Sequence, residues 1–108
     1  MRVQRSTAET GAISLTIDPG INFRLIAIKV HLSEAGGAGN LTVTTDANAG
    51  ATYDAVLALQ DMTSISDYIY VPDNPVPFVA GDKAVIAWAN VGNKTYGIEV
   101  FWTADNLG

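Results

Sequence analysis

The chain has 108 residues, enough for one domain with its own core, and 48% of them are hydrophobic. It contains no cysteine and a single histidine, which excludes disulfides, thiolate metal sites, thiol nucleophiles and any triad or multi-histidine metal site within one chain. Six basic residues stand against eleven acidic ones; Arg2 and Arg5 fall in the first five positions, so residues 6–108 carry four against eleven, a net of −7. A body of that sign repels phosphate backbones, and nucleic acid is not an expected partner.

The opening stretch Met1 to Thr7 leads into no apolar core region, and no run approaches the roughly 18 apolar residues of a membrane helix. The expectation is a soluble protein made in the cytoplasm without a secretory signal and with no membrane partner. Residues 1–11 are expected to form a flexible N-terminal arm, residues 12–104 a β-sandwich domain and residues 105–108 a C-terminal tail. The arm has two readings. It is either a disordered tail or a basic strap whose Arg2 and Arg5 lie on an acidic neighbouring surface, such as another copy of the chain.

Ala12 to Ile17 alternates cleanly, with Ile13, Leu15 and Ile17 inward and Ser14 and Thr16 outward. Asp18-Pro19-Gly20 stops it: proline presets the first central position of a turn and glycine accepts the positive φ that follows. The chain then enters its longest strand-like run, Phe23 to Leu32. Ile26, Ile28, Val30 and Leu32 make one aliphatic row, and Phe23, Leu25, Ala27, Lys29 and His31 make a second that grades from apolar to polar. Ser33 to Asn40 is too rich in glycine to be ordered by itself. Asn40 to Thr45 is the next strand, with Leu41 and Val43 inward.

Tyr53 to Gln60 would suit two turns of helix, but Tyr53, Ala55, Leu57 and Leu59 share a strand face and the surrounding pattern is β throughout. Ile65 to Val71 reads as strand after a turn at Asp61 to Ser64. Pro72, Pro75 and Pro77 then forbid central-strand pairing, so that segment crosses between sheets or runs along an edge. Phe78 and Val79 are expected in the core, ahead of the turn Ala80-Gly81-Asp82-Lys83. Ala84 to Asn90 places Ala84, Ile86 and Trp88 on one face, and Thr95 to Thr103 does the same for Tyr96, Ile98, Val100 and Trp102. Asn90 to Lys94 between them reads as a hairpin loop. The expected fold class is all-β, a single two-sheet antiparallel sandwich of about eight strands, jelly-roll-like because of the long crossings through the proline segment.

No catalytic set, cofactor site or metal site is expected. His31 ends a strand and reads as a solvent-facing polar residue. Asp54, Asp61, Asp67, Asp73 and Glu99 could in principle supply a carboxylate pair for glycoside hydrolysis, but they fall at turns and on outward faces. Asp73-Asn74 and Asp82 sit in loops of the kind that offer oxygen ligands to Ca²⁺, without the spacing of a calcium loop; turn residues bonding their own backbone explain them as well. Trp88 and Trp102 share faces with Ile86 and Val100 and read as core. Tyr68 and Tyr70 share a strand face that could be exposed at an interface, and with Arg2 and Arg5 they are the candidate partner-binding residues.

The stretch YVPDNPVPFVAGDKAVIAWAN, followed by KTYGIEVFW, resembles small β-sandwich proteins encoded among the structural genes of tailed bacteriophages. There a Pro-rich segment leads to an apolar pair, a Gly-Asp turn, a strand ending in Trp-Ala-Asn and a closing aromatic strand. The resemblance runs over roughly Ile21 to Thr103 and consists of turn and core residues, so it carries no functional residue. It implies a virion component without enzymatic activity. The first expectation is a capsid decoration or cement protein that binds the major capsid protein or other virion proteins as a homo-oligomer on the particle. The alternative is a tail or head-fibre accessory protein, or a glycan-binding β-sandwich module for host attachment.

Overall fold

The computed structural model describes residues 1–8 and 10–104, so the tail expected at residues 105–108 lies outside the described residues. Nine strands follow in order: β1 (Arg2–Ala8), β2 (Ile13–Ile17), β3 (Phe23–Leu32), β4 (Asn40–Asp46), β5 (Ala55–Asp61), β6 (Asp67–Tyr70), β7 (Val76–Phe78), β8 (Lys83–Trp88) and β9 (Tyr96–Ala104). The only helical element among the described residues is a 3₁₀ turn at Ala51–Tyr53. The stretch that would also suit a helix is thus mostly strand, but the face expected to hold Tyr53, Ala55, Leu57 and Leu59 together is corrected: a register shift opposite Val43 and Thr44 turns Leu57 toward the core while Leu59 is 61% exposed.

All pairings are antiparallel and form two sheets, the first ordered β1-β9-β3-β6 with β7 also on β3, the second β2-β8-β4-β5. The chain passes between the sheets at nearly every connection, and only β4–β5 and β6–β7 stay within one. This is a jelly-roll-like sandwich. Asn90 to Lys94 is therefore not a hairpin loop but a crossover from β8 in the second sheet to β9 in the first. The Asp18-Pro19-Gly20 turn, with Gly20 at φ 73°, is a crossover too.

One core is shared by both sheets: Phe23, Leu25, Ile28, Val30, Ile98, Val100 and Trp102 from the first meet Ile13, Ile17, Leu41, Val43, Ile86 and Trp88 from the second. Two departures from strict alternation matter. In β3, Leu25 pairs with Trp102 and Ala27 with Phe101, which leaves Ile26 as the extra residue of a bulge. The bulge swaps faces mid-strand, so Phe23 and Leu25 join Ile28, Val30 and Leu32 inside while Ile26 is only half-buried. The continuous row expected from Ile26 to Leu32 is corrected accordingly. Val79, expected inside, is 62% exposed because the chain turns outward after Phe78, which stacks on Phe23.

Residues 2–8, expected as part of a flexible arm, form the edge strand β1. Seven registered pairs run from Arg2↔Trp102 to Ala8↔Tyr96. Backbone bonds to β9 and the inward placement of Gln4, Ser6 and Ala8 explain a strand that its polar composition concealed. The proline segment behaves as expected, since β7 is a three-residue edge strand in which Pro77 lies opposite Arg24. The Gly-rich loop is held by close backbone approach: a side chain at Gly36 would collide with the carbonyl of Met62, and one at Gly37 with that of Val91. Met62 itself, placed by its sequence in a turn, is fully buried.

Candidate functional site

The two outer faces of the sandwich differ in chemistry. On the second sheet, inward Ile13, Ile17, Leu41, Val43, Ala84, Ile86 and Trp88 turn their neighbours outward, and strand register aligns those neighbours into two rows. One row is Ser14, Ala87, Thr42 and Leu59; the other is Thr16, Val85, Thr44 and Val56. All eight are uncharged, and Val56 and Leu59 at the β5 edge are 62% and 61% exposed. Charged residues appear only at the ends of these strands, with Asp61 at one end and Lys83 and Asp46 at the other.

The outer face of the first sheet is charged. Its rows run Thr7, Gly97, His31, Asp67 and Arg5, Glu99, Lys29, Ile69. Arg5 Nε donates to Glu99 Oε2 at 2.6 Å, and Lys29 Nζ lies 3.4 Å from Glu99 Oε1, so one carboxylate ties three strands together. These bonds, chiefly the one from Arg5, hold the Glu99 carboxyl below its ordinary pKa. In the next row the His31 imidazole contacts the Asp67 carboxylate, which is likewise held below its ordinary value, mainly by that bond. Lys29 also sits 5.1 Å from the centre of the Phe101 ring.

Between these groups lies an open concavity of about 460 Å³, lined by Lys29, Val30, His31, Asp67, Ile69, Gly97 and Glu99. Gly97 is its floor. Thr7 and His31 flank Gly97 in register, and no atom lies within 4 Å of the place its Cβ would occupy.

The structure disperses the four candidate partner-binding residues. Arg5 stands on the charged face beside the concavity, whereas Arg2 lies on the inward side of β1, its guanidinium 5.2 Å from the Trp102 ring centre. Tyr68 and Tyr70 pair with Val30 and Ile28 and face the core, half-buried, rather than outward. Burial raises the pKa of the Tyr68 hydroxyl, with the neighbouring Tyr70 adding to it. Of the carboxylates weighed for hydrolysis, Asp67 and Glu99 both line the concavity, each engaged by a basic side chain, whereas Asp54 and Asp61 bond backbone amides elsewhere. Asp54 accepts from the Ala47 amide at 2.8 Å, and Asp61 accepts from the Thr63 amide at 3.0 Å and its hydroxyl at 2.7 Å. The loop residue Asp82 accepts from the amides of Asn48 and Val79 at 3.0 and 3.1 Å, the behaviour of a turn residue. Among the described residues no three His, Asp or Glu side chains gather as metal ligands.

Sequence reasoning weighed His31, Asp67 and Glu99 singly and did not place them on one face, because that depends on register between β3, β6 and β9. Gly97, the second residue of an otherwise alternating strand, was the readable signal. Compared with known proteins, the chain matches no family model and no curated protein significantly.

Proposed function

We propose that the protein is a non-enzymatic structural component of a tailed-phage virion, a decoration or cement protein that docks as a homo-oligomer on the lattice of the major capsid protein. The observation that carries this reading is the uncharged outer face of the second sheet, built from eight residues in two registered rows on a chain of net charge −5. Charge depletion is what distinguishes the centre of a protein interface from ordinary surface. A face without charge suits a protein partner better than a charged small substrate. The resemblance of residues 70–90 and 94–102 to phage structural proteins supports the same reading, as does a closed core that leaves both outer faces available.

The test combines copy number with face mapping. Quantitative mass spectrometry of purified particles is expected to find hundreds of copies per particle. Purified protein is expected to bind capsid shells, and Thr42→Lys or Leu59→Lys is expected to abolish that binding while leaving the fold intact. A handful of copies per particle would instead assign the protein to the tail or a head fibre. Capsid binding unaffected by both lysine variants would overturn the docking face.

A further inference from the structure

Gly97 is the described glycine that backbone geometry does not explain. Six of the nine described glycines take positive φ, and Gly36 and Gly37 lie against backbone carbonyls that exclude a side chain. Gly97 has neither constraint. It sits in the second position of β9, paired on both sides, with open space where a side chain would go. A glycine inside a strand loses more conformational freedom on folding than any alternative and packs nothing, so it weakens the strand unless something else approaches closely. What it leaves open is the floor of the concavity on the first sheet.

We propose that this concavity binds a neutral, polyhydroxylated ligand, a single sugar residue of a glycan, seated over Gly97 between Lys29, His31, Asp67 and Glu99 with Ile69 as its apolar wall. The volume, about 460 Å³, lies within the range of small-ligand sites. The rim offers both signs: Lys29, with Arg5 behind it, stands against the Glu99 and Asp67 carboxylates, and the His31 imidazole contacts Asp67. An anion would meet two carboxylates, and a cation would meet Lys29 with Arg5 behind it. Sugar hydroxyls both donate and accept, so one ring can satisfy carboxylates and ammonium together. Asp67 and Glu99, like ordinary surface carboxylates, are ionised acceptors at neutral pH, and their neighbours lower their pKa values further. Ile69, 62% exposed, supplies the apolar surface for the C–H side of a ring. No Phe, Tyr or Trp ring lines the concavity, and the nearby Phe101 ring is covered by Lys29. Affinity per copy is therefore weak, and useful attachment comes from many copies acting together. The site is on the sheet opposite the proposed docking face and stands independently of it.

The experiment is a titration of the isotope-labelled full chain with glucose, galactose and N-acetylglucosamine, followed by NMR at the Gly97 and His31 amides and the Ile69 methyls. Sodium phosphate serves as the charged comparator. At least one sugar is expected to give saturable shifts confined to these residues. Gly97→Val is expected to weaken that binding by about tenfold or more while its melting temperature stays level or rises; Gly97→Ala is expected to weaken it less. The proposal is overturned if no sugar saturates, if phosphate saturates and the sugars do not, or if Gly97→Val binds like the parent. It is also overturned if both glycine variants melt lower, since the glycine would then serve the strand itself.

Discussion

The side-chain nitrogen of Asn90 lies 2.6 Å from the carbonyl oxygen of Gly11, a residue 79 positions away in the chain. The same side chain donates to the Lys94 carbonyl at 2.9 Å and accepts from the Lys94 amide at 3.0 Å. Asn90 is thus a buried polar hub, 2% exposed, that closes the β8–β9 crossover and ties it to the segment entering β2. Its φ of 55° is one asparagine tolerates better than most residues. Replacing it with alanine strands buried backbone groups, and Asn90→Ala is expected to lose about 1–3 kcal/mol. Asn90→Gly relieves the backbone but restores none of the bonds, so urea denaturation should place it between alanine and the parent. Equal stability of all three proteins would show that the hub carries no weight.

The bulge in β3 makes a second, sharper comparison. Ile28 is fully buried, and Ile26, two residues earlier, is only half-buried because the bulge turns it away from the core. Ile28→Ala is expected to cost about 2–5 kcal/mol, as truncation of a buried aliphatic does. Ile26→Ala should cost about 1 kcal/mol or less, near the range of surface changes. Similar losses at both positions would contradict the bulge.

These two cases mark what the sequence could and could not reveal. Alternation of apolar residues located β2, β4, β8 and β9 and most of the core, because a strand with one buried face must alternate. A bulge adds one residue without a local signature in FRLIAIKV, so periodicity carried Ile26 to the wrong face. Turn residues marked where Asp18-Pro19-Gly20 and Asn90 to Lys94 reverse, but a reversal within a sheet and a crossing between sheets use the same residues. The strand β1 was hidden for a different reason. RVQRSTA has little apolar content of its own, and it is a strand because β9 offers a free edge. The charged face was legible one residue at a time and became a surface only through register.

Acid tests that surface. The Glu99 carboxyl is held below its ordinary pKa, first by Arg5 and then by Lys29. A carboxyl whose folded pKa is depressed contributes stability that is fully present above its unfolded value, about 4.3. That contribution is lost as the pH falls through the lower folded value. Asp67, held down by His31, and Asp61, held down by Thr63, act in the same direction. All three carboxylates are on the surface, so the effect is modest and weakened by salt. Glu99→Gln is expected to be less stable than the parent at neutral pH, with the gap closing below about pH 4.3. Denaturant midpoints measured across that range check it; a gap that widens in acid would reverse the assigned sign.

The last prediction separates a strand from a strap. If residues 2–8 only reached for a neighbour, deleting them would leave the isolated domain as stable as before. In the structure they complete the first sheet: β1 covers the edge of β9 along seven registered pairs, and Thr7 Oγ1 donates to the Tyr96 carbonyl at 2.8 Å. Arg2 shields one side of the Trp102 ring, and Arg5 closes the ion pairs at Glu99. Deletion uncovers a long edge with free backbone groups, the kind that pairs with other chains. At about 0.2–1 kcal/mol for each of the seven cross-strand pairs, the loss should reach about 1–7 kcal/mol and bring a tendency to aggregate. The point variant Arg5→Ala removes the ion pair but keeps the backbone ladder, so it should retain most of the stability. Calorimetry on the three proteins decides between the two roles. A deletion variant that melts with the parent would return these residues to the role of a strap for another subunit, and one that melts well below it fixes β1 as part of the domain.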